Sequence, residues 1–335
     1  MISCLRGAGV EVVERHAPVW EGRRESWSAG AGAVARLAAA EARLARSLPA
    51  CDAILVGYPG HPDVLLARLL ARGRPVVFNP LVSLSDTLVS DRGRFGAGSL
   101  PARALALADR VALRAADVVV ADTEANADFL ARLAHLPRSE VEVCLVGAEE
   151  RIFRPGWAPA EPFTCLFVGK LIPLHGLETV LEAARRAPEL PFRLVGSGQL
   201  ASLLETRPPN VEWIRWVEYE RLPGELHRCG CALGVFGTSE KAARVIPNKV
   251  FQALACGAPV VTADTPGARE LLVDGDSALL VEPGDPEALA AALRRLRDDP
   301  ELARRIAAGG AEAYRARASE AVLGKRWRGL IEAVA

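Results

Sequence analysis

The chain has 335 residues, half of them apolar, which suits two ordinary domain cores better than one. Lys+Arg and Asp+Glu both total 41, so the formal charge is zero and the overall basic footprint of a nucleic-acid binder is missing, although a local basic patch for anionic lipid is compatible with that balance. The seven cysteines show no metal-type spacing, Cys229-Gly230-Cys231 being the one close pair, and no apolar run reaches the ~20 residues that span a bilayer. The expectation is a cytoplasmic protein with buried thiols and no metal site.

The opening "MISCLRGAGVEVVERHA" has too short an apolar part for a signal peptide, and reads as a helix from Ile2 to Gly7 followed by a strand, "VEVVERH". A helical stretch, Ala31 to Leu48, precedes the strand candidates "AILVGY", "PVVFN", "DVVVADT" and "VEVCLVG". The segment "FRPGWAPAEPF", Phe153 to Phe163, holds three prolines and little periodicity, which marks a linker. Beyond it come "TCLFVGK", "FRLVGSG", "VEWIRWV", "CALGVFG", "PVVTAD" and "ALLVEPG", separated by helical stretches such as Leu177 to Ala187. Nearly continuous apolar strands indicate parallel sheets covered on both faces. The reading is α/β, with two Rossmann-like doubly wound domains of five or six strands each, over residues 1–155 and 160–317. Doubly wound domains open with a strand and a glycine-rich turn, and here that first strand is not apparent; the chain then starts late, or its start lies upstream of Met1.

Ligands of open parallel sheets bind beyond the carboxyl ends of the strands, so the residues after each strand carry the candidate chemistry. Gly169 and Lys170 follow "TCLFV", with His175, Gly176 and a helix N-terminus close behind, a combination suited to an anion. Gly196 ends another strand, and Trp216 and Val217 close a third. Gly237 and Thr238 lead into "SEKAARVIPNKVFQALACGAPVV", where Asn248 is a cap candidate and Lys249, Gln252 and Cys256 share one helical face. That face, turned to the cleft, suits a diphosphate and a sugar hydroxyl; an ordinary solvated face is the plainer alternative. Gly267 in "TPGARELL" allows close approach to a ligand before a helix beginning near Ala268 or Arg269. In the first half, His61 at a strand end and Asp86, Asp91 and Arg92 in a loop are acceptor-side candidates, His61 and Asp86 with Lys170 as the catalytic set.

These stretches resemble the retaining GT-B glycosyltransferases of family 4 (glycosyl transferases group 1), over nearly the whole chain. "CLFVGKLIPLHGLETVLEAARRAPELPFRLVGSGQL" resembles the donor-domain opening, and "VFGTSEKAARVIPNKVFQALACGAPVVTADTPGARELLVDGDSALLVEPGDPEALAAAL" the segment that holds donor sugar and ribose. The resemblance implies a nucleotide-sugar donor as substrate with no cofactor, retention of configuration without a metal, a glycan, lipid-linked or small-molecule acceptor, and a last helix, about 318–335, packed back on the first domain. Lys170 and His175 then clasp the diphosphate, Gln252 faces the ribose and Lys249 the phosphates or sugar. A peripheral position at the inner face of a membrane fits the acceptors of this family. The sequence departs from the family in three places: Arg244 and Gln252 stand where its two glutamates align, His175 replaces a second cation, and the first strand and its glycine loop are not seen. Two rivals remain, a nucleotide-sugar-binding protein without turnover and a dinucleotide-dependent oxidoreductase, for which "GSGQLA" with Glu212 or Glu218 would serve. Oligomeric state has no signature.

Overall fold

The computed structural model describes residues 1–17, 19, 31–45, 49–159 and 161–335. Its first half runs α1 (Ile2–Gly7), α2 (Ala31–Ala45), β1 (Ile54–Val56), α3 (His61–Leu70), β2 (Val76–Phe78), α4 (Leu100–Ala115), β3 (Val118–Ala121), α5 (Glu124–Ala134) and β4 (Val141–Val143), with a π-helix at Asp86–Asp91. The second half runs β5 (Cys165–Val168), α6 (Leu177–Arg186), β6 (Phe192–Val195), β7 (Val211–Ile214), α7 (Leu222–Arg228), β8 (Cys231–Leu233), α8 (Glu240–Arg244), α9 (Asn248–Cys256), β9 (Val260–Ala263), α10 (Pro266–Arg269), β10 (Leu279–Val281), α11 (Pro286–Asp298), α12 (Pro300–Arg317) and α13 (Glu320–Glu332).

Both sheets are parallel throughout the described residues. The first has the order β1-β2-β3-β4; the second has β10-β9-β8-β5-β6-β7, which reverses direction between β5 and β8. That reversal makes the gap beyond the carboxyl ends of β5 and β8 the natural ligand crevice. Alternate side chains feed opposite layers, as a pleated strand requires. In β5, Cys165 and Phe167 join the core under α6 and α11, with Leu177, Val180, Leu289 and Leu293. Leu166 joins the opposite core with Leu226, Val250, Phe251 and Leu254 of α7 and α9. Each of these large side chains stabilises the fold by about 1.5–3 kcal/mol through burial. The first sheet is covered on one face by α3, α4 and α5, and on the other by α1 and the chain's last helix, α13, through Cys4, Leu5, Leu323, Trp327 and Leu330.

The opening segment corrects one expectation. "VEVVERH" is irregular, not a strand. The Val10 amide turns back to Leu5 O at 3.0 Å, closing α1, and Val10 and Val12 pack half-buried on the α1–α13 layer. Its alternation does report one buried side, but a helical layer covers that side and no strand pairs with it. The first sheet therefore has four strands among the described residues, short of the five or six expected. The expected helix Ala31 to Leu48 is present over Ala31–Ala45, and residues 46–48 lie outside the described residues.

Candidate functional site

The crevice is built by backbone pressed against backbone. A Cβ on Gly176 would lie 2.5 Å from the Phe236 carbonyl carbon, and Gly176 sits at φ 66°, so only glycine fits there and the β5 and β8 loops meet without intervening side chains. Beside them Gly196, at φ 144°, leaves room for the Gly169 carbonyl, 1.9 Å from where its Cβ would be. The 3₁₀ turn Pro173–His175 and the α6 N-terminus then open onto the crevice.

Two basic side chains flank Gly169. Lys249, in the first turn of α9, passes its Nζ over the Phe167 ring, 3.5 Å from the centroid, where it is buried and has no hydrogen-bond partner. A methyl group on Gly169 would touch both that Nζ (3.2 Å) and His175 Cε1 (3.3 Å). Burial holds the Lys249 amine well below the usual lysine value. His175 donates from Nδ1 to Lys170 O at 2.5 Å and stands edge-on to Phe167. Burial, the Lys249 charge and Arg92 together push its ring well below the ordinary histidine value. The lowered value favours the neutral ring, whose Nε2 then carries the lone pair. The Lys170 side chain is exposed, and its carbonyl is what orders His175.

Gln252, three residues on from Lys249 in α9, is half-buried and faces the Tyr219 hydroxyl beneath the loop that follows β7. Val217 packs half-buried in the same loop, while Trp216 is exposed with its Nε1 on Glu218 Oε1 at 3.1 Å. Gly237 is half-buried and Thr238 exposed at the β8 end. Cys256, expected on the cleft face with Lys249 and Gln252, is fully buried instead. Two local boundaries also move. Asn248 is the first helical residue of α9 and Pro247 its cap, because proline at φ −73° presets the turn without a side-chain bond. The helix after β9 starts at Pro266, capped by Thr265 Oγ1 on Ala268 N at 3.1 Å.

On the first-domain side, the candidates divide. His61 is buried, its Nδ1 on Pro59 O (2.6 Å) and Nε2 on Asp109 Oδ1 (2.9 Å), so both ring nitrogens are spent inside the domain and neither faces the cleft. Asp109, fully buried, also accepts from Leu84 N, Ser85 N and the hydroxyls of Ser83 and Ser85. These bonds hold its carboxyl below the usual carboxylate range against the opposing effect of burial. The network fixes the loop that launches the π-helix Asp86–Asp91 across the cleft. There Asp86 pairs with Arg244 at 2.9 Å, both side chains about nine-tenths buried, and Arg244 also stacks on Phe129 at 3.9 Å. Thr87 Oγ1 accepts from Lys241 Nζ at 2.7 Å, and Asp91 accepts from Leu174 N at 3.0 Å, on the same turn that carries His175. Arg92 lies alongside, Nε 3.4 Å from Asp91 Oδ2. A second bridge places the Glu270 carboxylate on the amides of Glu124 and Ala125, at the positive end of α5.

Sequence reasoning missed Asp109, Lys241, Tyr219 and Glu270. Asp109 had one visible signal, since it is the sole acid in the sixteen residues of α4. A cavity of about 650 Å³ lined by Trp157, Phe163, Ala303 and Ala307 opens where the linker meets α12, away from the strand ends.

Residues 162–299 match the model of glycosyl transferases group 1. Over those residues the chain carries the sequence pattern of the group 1 glycosyltransferases. A D-inositol 3-phosphate glycosyltransferase of Thermobispora bispora is 27% identical to this chain over 272 residues, covering 69% of the chain and 60% of the relative, so the chain spans about three fifths of that protein. Among solved structures, Anabaena Alr3699/HepE in complex with UDP and glucose superposes with a TM-score of 0.66 at 20% identity, over 90% of this chain and 83% of that one. Sucrose-phosphate synthase from Thermosynechococcus elongatus gives 0.71 at 20% identity, over 90% and 79%. The fold is GT-B, and the match of residues 162–299 speaks against the oxidoreductase reading.

Proposed function

We propose that the protein transfers a sugar from a UDP- or GDP-sugar to a glycan, lipid-linked or small-molecule acceptor, with retention and without a metal or cofactor. The observation that carries this reading is Lys249. A buried amine with no partner, at the switch point of a parallel sheet, is costly unless an anion completes it. A diphosphate placed against Gly169 would meet Lys249 Nζ, the α6 N-terminus and the His175 edge, with the exposed Lys170 ammonium within reach to close over it. Its charge would draw a proton onto His175 Nε2 and turn that lone pair into a donor. Gln252 and Tyr219 would take the ribose, under the loop of Trp216 and Val217.

In the reaction, the bond between the anomeric carbon and the β-phosphate oxygen breaks as the acceptor hydroxyl adds on the same face and gives its proton to the departing phosphate. Asp86 is held by Arg244 and Asp91 by the Leu174 amide, so neither is placed as a covalent nucleophile. The domains therefore contribute position and charge stabilisation. The HepE complex holds UDP and glucose, which makes UDP-glucose the first donor to try. The test is a thermal-shift screen with UDP, GDP, UDP-glucose and GDP-mannose, followed by NMR of the anomeric linkage in any product and an assay in chelator. Stabilisation by one nucleotide that is lost in Lys249→Met supports the reading; no shift with any nucleotide refutes it. The Asp86–Arg244 bridge, where the family places a carboxylate, favours a second reading, donor binding without turnover, and stabilisation without product would establish that.

A further inference from the structure

The π-helix that reaches from the first domain to the second is wound for that contact. Its closing bond runs from the Arg92 amide to Thr87 O, five residues back, at 3.0 Å. That winding brings Asp86, Thr87 and Asp91 close to one face, whereas in an α-helix Asp91 would stand about 140° round from Asp86. All three bond the second domain, through Arg244, Lys241 and the Leu174 amide. Arg92 ends this turn, and its carbonyl accepts from Gln199 Nε2 at 3.4 Å. Residues 91 and 92 are thus held over two loops at once, the one after β5 through Leu174 and the one after β6 through Gln199. Those loops carry Gly169 and Gly196, which press together at the strand ends.

The second domain is short of fixed charge there. Burial holds the Lys249 amine well below the usual lysine value, the His175 ring is lowered as well, and the Lys170 side chain stands exposed. An arginine keeps its charge wherever it is placed. The Arg92 side chain is three-quarters buried, and its Nε makes no hydrogen bond, standing 3.4 Å from Asp91 Oδ2. Asp91 divides its carboxylate, with Oδ1 on the Leu174 amide and Oδ2 towards Arg92, while Asp86 is taken by Arg244. The guanidinium is therefore only partly compensated, and its charge is felt at His175, whose Cε1 lies beside Gly169. We propose that Arg92 is the fixed cation of the diphosphate site, supplied by the first domain to a donor held on the second. The assignment rests on the donor reading of the crevice, and it moves Arg92 from the acceptor side, where its place in the sequence had put it. A group arriving from the acceptor's domain meets the phosphate nearest the sugar, so the guanidinium fork would grip the terminal phosphate and offset the charge that grows there as the sugar leaves. The site is then complete only with the domains together, and a bound diphosphate favours that arrangement by the same free energy.

The test is calorimetric titration of the full chain with UDP, GDP, UMP and GMP, for wild type, Arg92→Met and Arg92→Lys. For the diphosphate that binds, Arg92→Met should weaken binding by about 10- to 100-fold, and Arg92→Lys, which keeps the charge and loses the fork, by about three- to tenfold. The matching monophosphate lacks the gripped group and should lose less than about threefold. Arg305→Met, which removes an exposed arginine of α12, should bind both as wild type does. Thermal melts without nucleotide check that each variant keeps the fold. If Arg92→Met binds the diphosphate as well as wild type, or loses the monophosphate equally, the assignment is overturned while the donor reading stands. A wild type that binds none of the four nucleotides removes both.

Discussion

Replacing Lys249 by methionine separates stability from binding. The long side chain fills the same slot over Phe167, and the thioether needs no hydrogen bond. The amine it removes is buried without a partner, an arrangement that costs about 1–3 kcal/mol. Its attraction to the Phe167 ring works the other way, by up to about 2 kcal/mol when desolvated. Burial holds the amine well below its ordinary value, and with the two effects partly offset the net gain from Lys249→Met should be about 1 kcal/mol. Melting should then rise by roughly 2–4 °C. The sign against pH follows from proton counting. Between the lowered folded value and about 10.4 the unfolded chain binds the extra proton, so wild-type stability climbs with pH across that window, and the variant loses this slope. Nucleotide binding should move oppositely, weakening by about 10- to 100-fold as a charge-assisted contact is lost. Denaturation at pH 6 and 10, with calorimetric titration of UDP and GDP, reads both quantities. A variant that melts lower than wild type, or binds nucleotide as well, would refute the argument that an anion completes this site.

Three further outcomes follow from buried charges elsewhere. Asp109→Asn takes the charge from a carboxylate that accepts bonds from five groups, and should cost about 3–5 kcal/mol in urea denaturation; because the folded pKa is lowered, the wild-type contribution is present above about pH 4 and is lost as pH falls through that lowered value. Alanine at Asp86 and at Arg244, singly and together, should give a coupling of about 1–3 kcal/mol in a double-mutant cycle, and additivity would show that the bridge contributes nothing. Asp122 is pushed up to about 6 by burial, so the folded state holds the extra proton between about pH 4 and 6 and stability falls as pH rises through that range. Asp122→Asn keeps the link to Asn126, and should flatten that slope and stabilise the protein at pH 7 by about 2–3 kcal/mol.

What the sequence reveals and what it hides follow one physical line. The strands were legible because a parallel strand covered on both faces must be apolar along its length, as in "VVVA" and "CLFV". The αL stop at Gly257 and the crevice glycines were legible because only one residue type suits them. Lys249 stood out as a charge beside apolar neighbours, but its path over Phe167 depends on β5 lying next to β8, which no local pattern encodes. Arg244 could be seen to break the family pattern, while its partner Asp86 is 158 residues away. His61 was misplaced for the same reason: a histidine at a strand end has the right address for a cleft, and the Asp109 that claims it lies 48 residues on.

The return of α13 to the first domain has a mechanical consequence. The chain passes between the domains twice, once through the linker at Phe153–Phe163 and once where α12 gives way to α13. Glu150 ties the two passages together, accepting from the Tyr314 hydroxyl at 3.1 Å and from the Glu320 amide at 2.9 Å. Two bodies pinned at a pair of neighbouring points keep one easy freedom, rotation about the line through the pins. Displacement grows with distance from that line, so the far lip of the crevice travels most, and the contacts of Asp86, Thr87 and Asp91 with the second domain act as its latch.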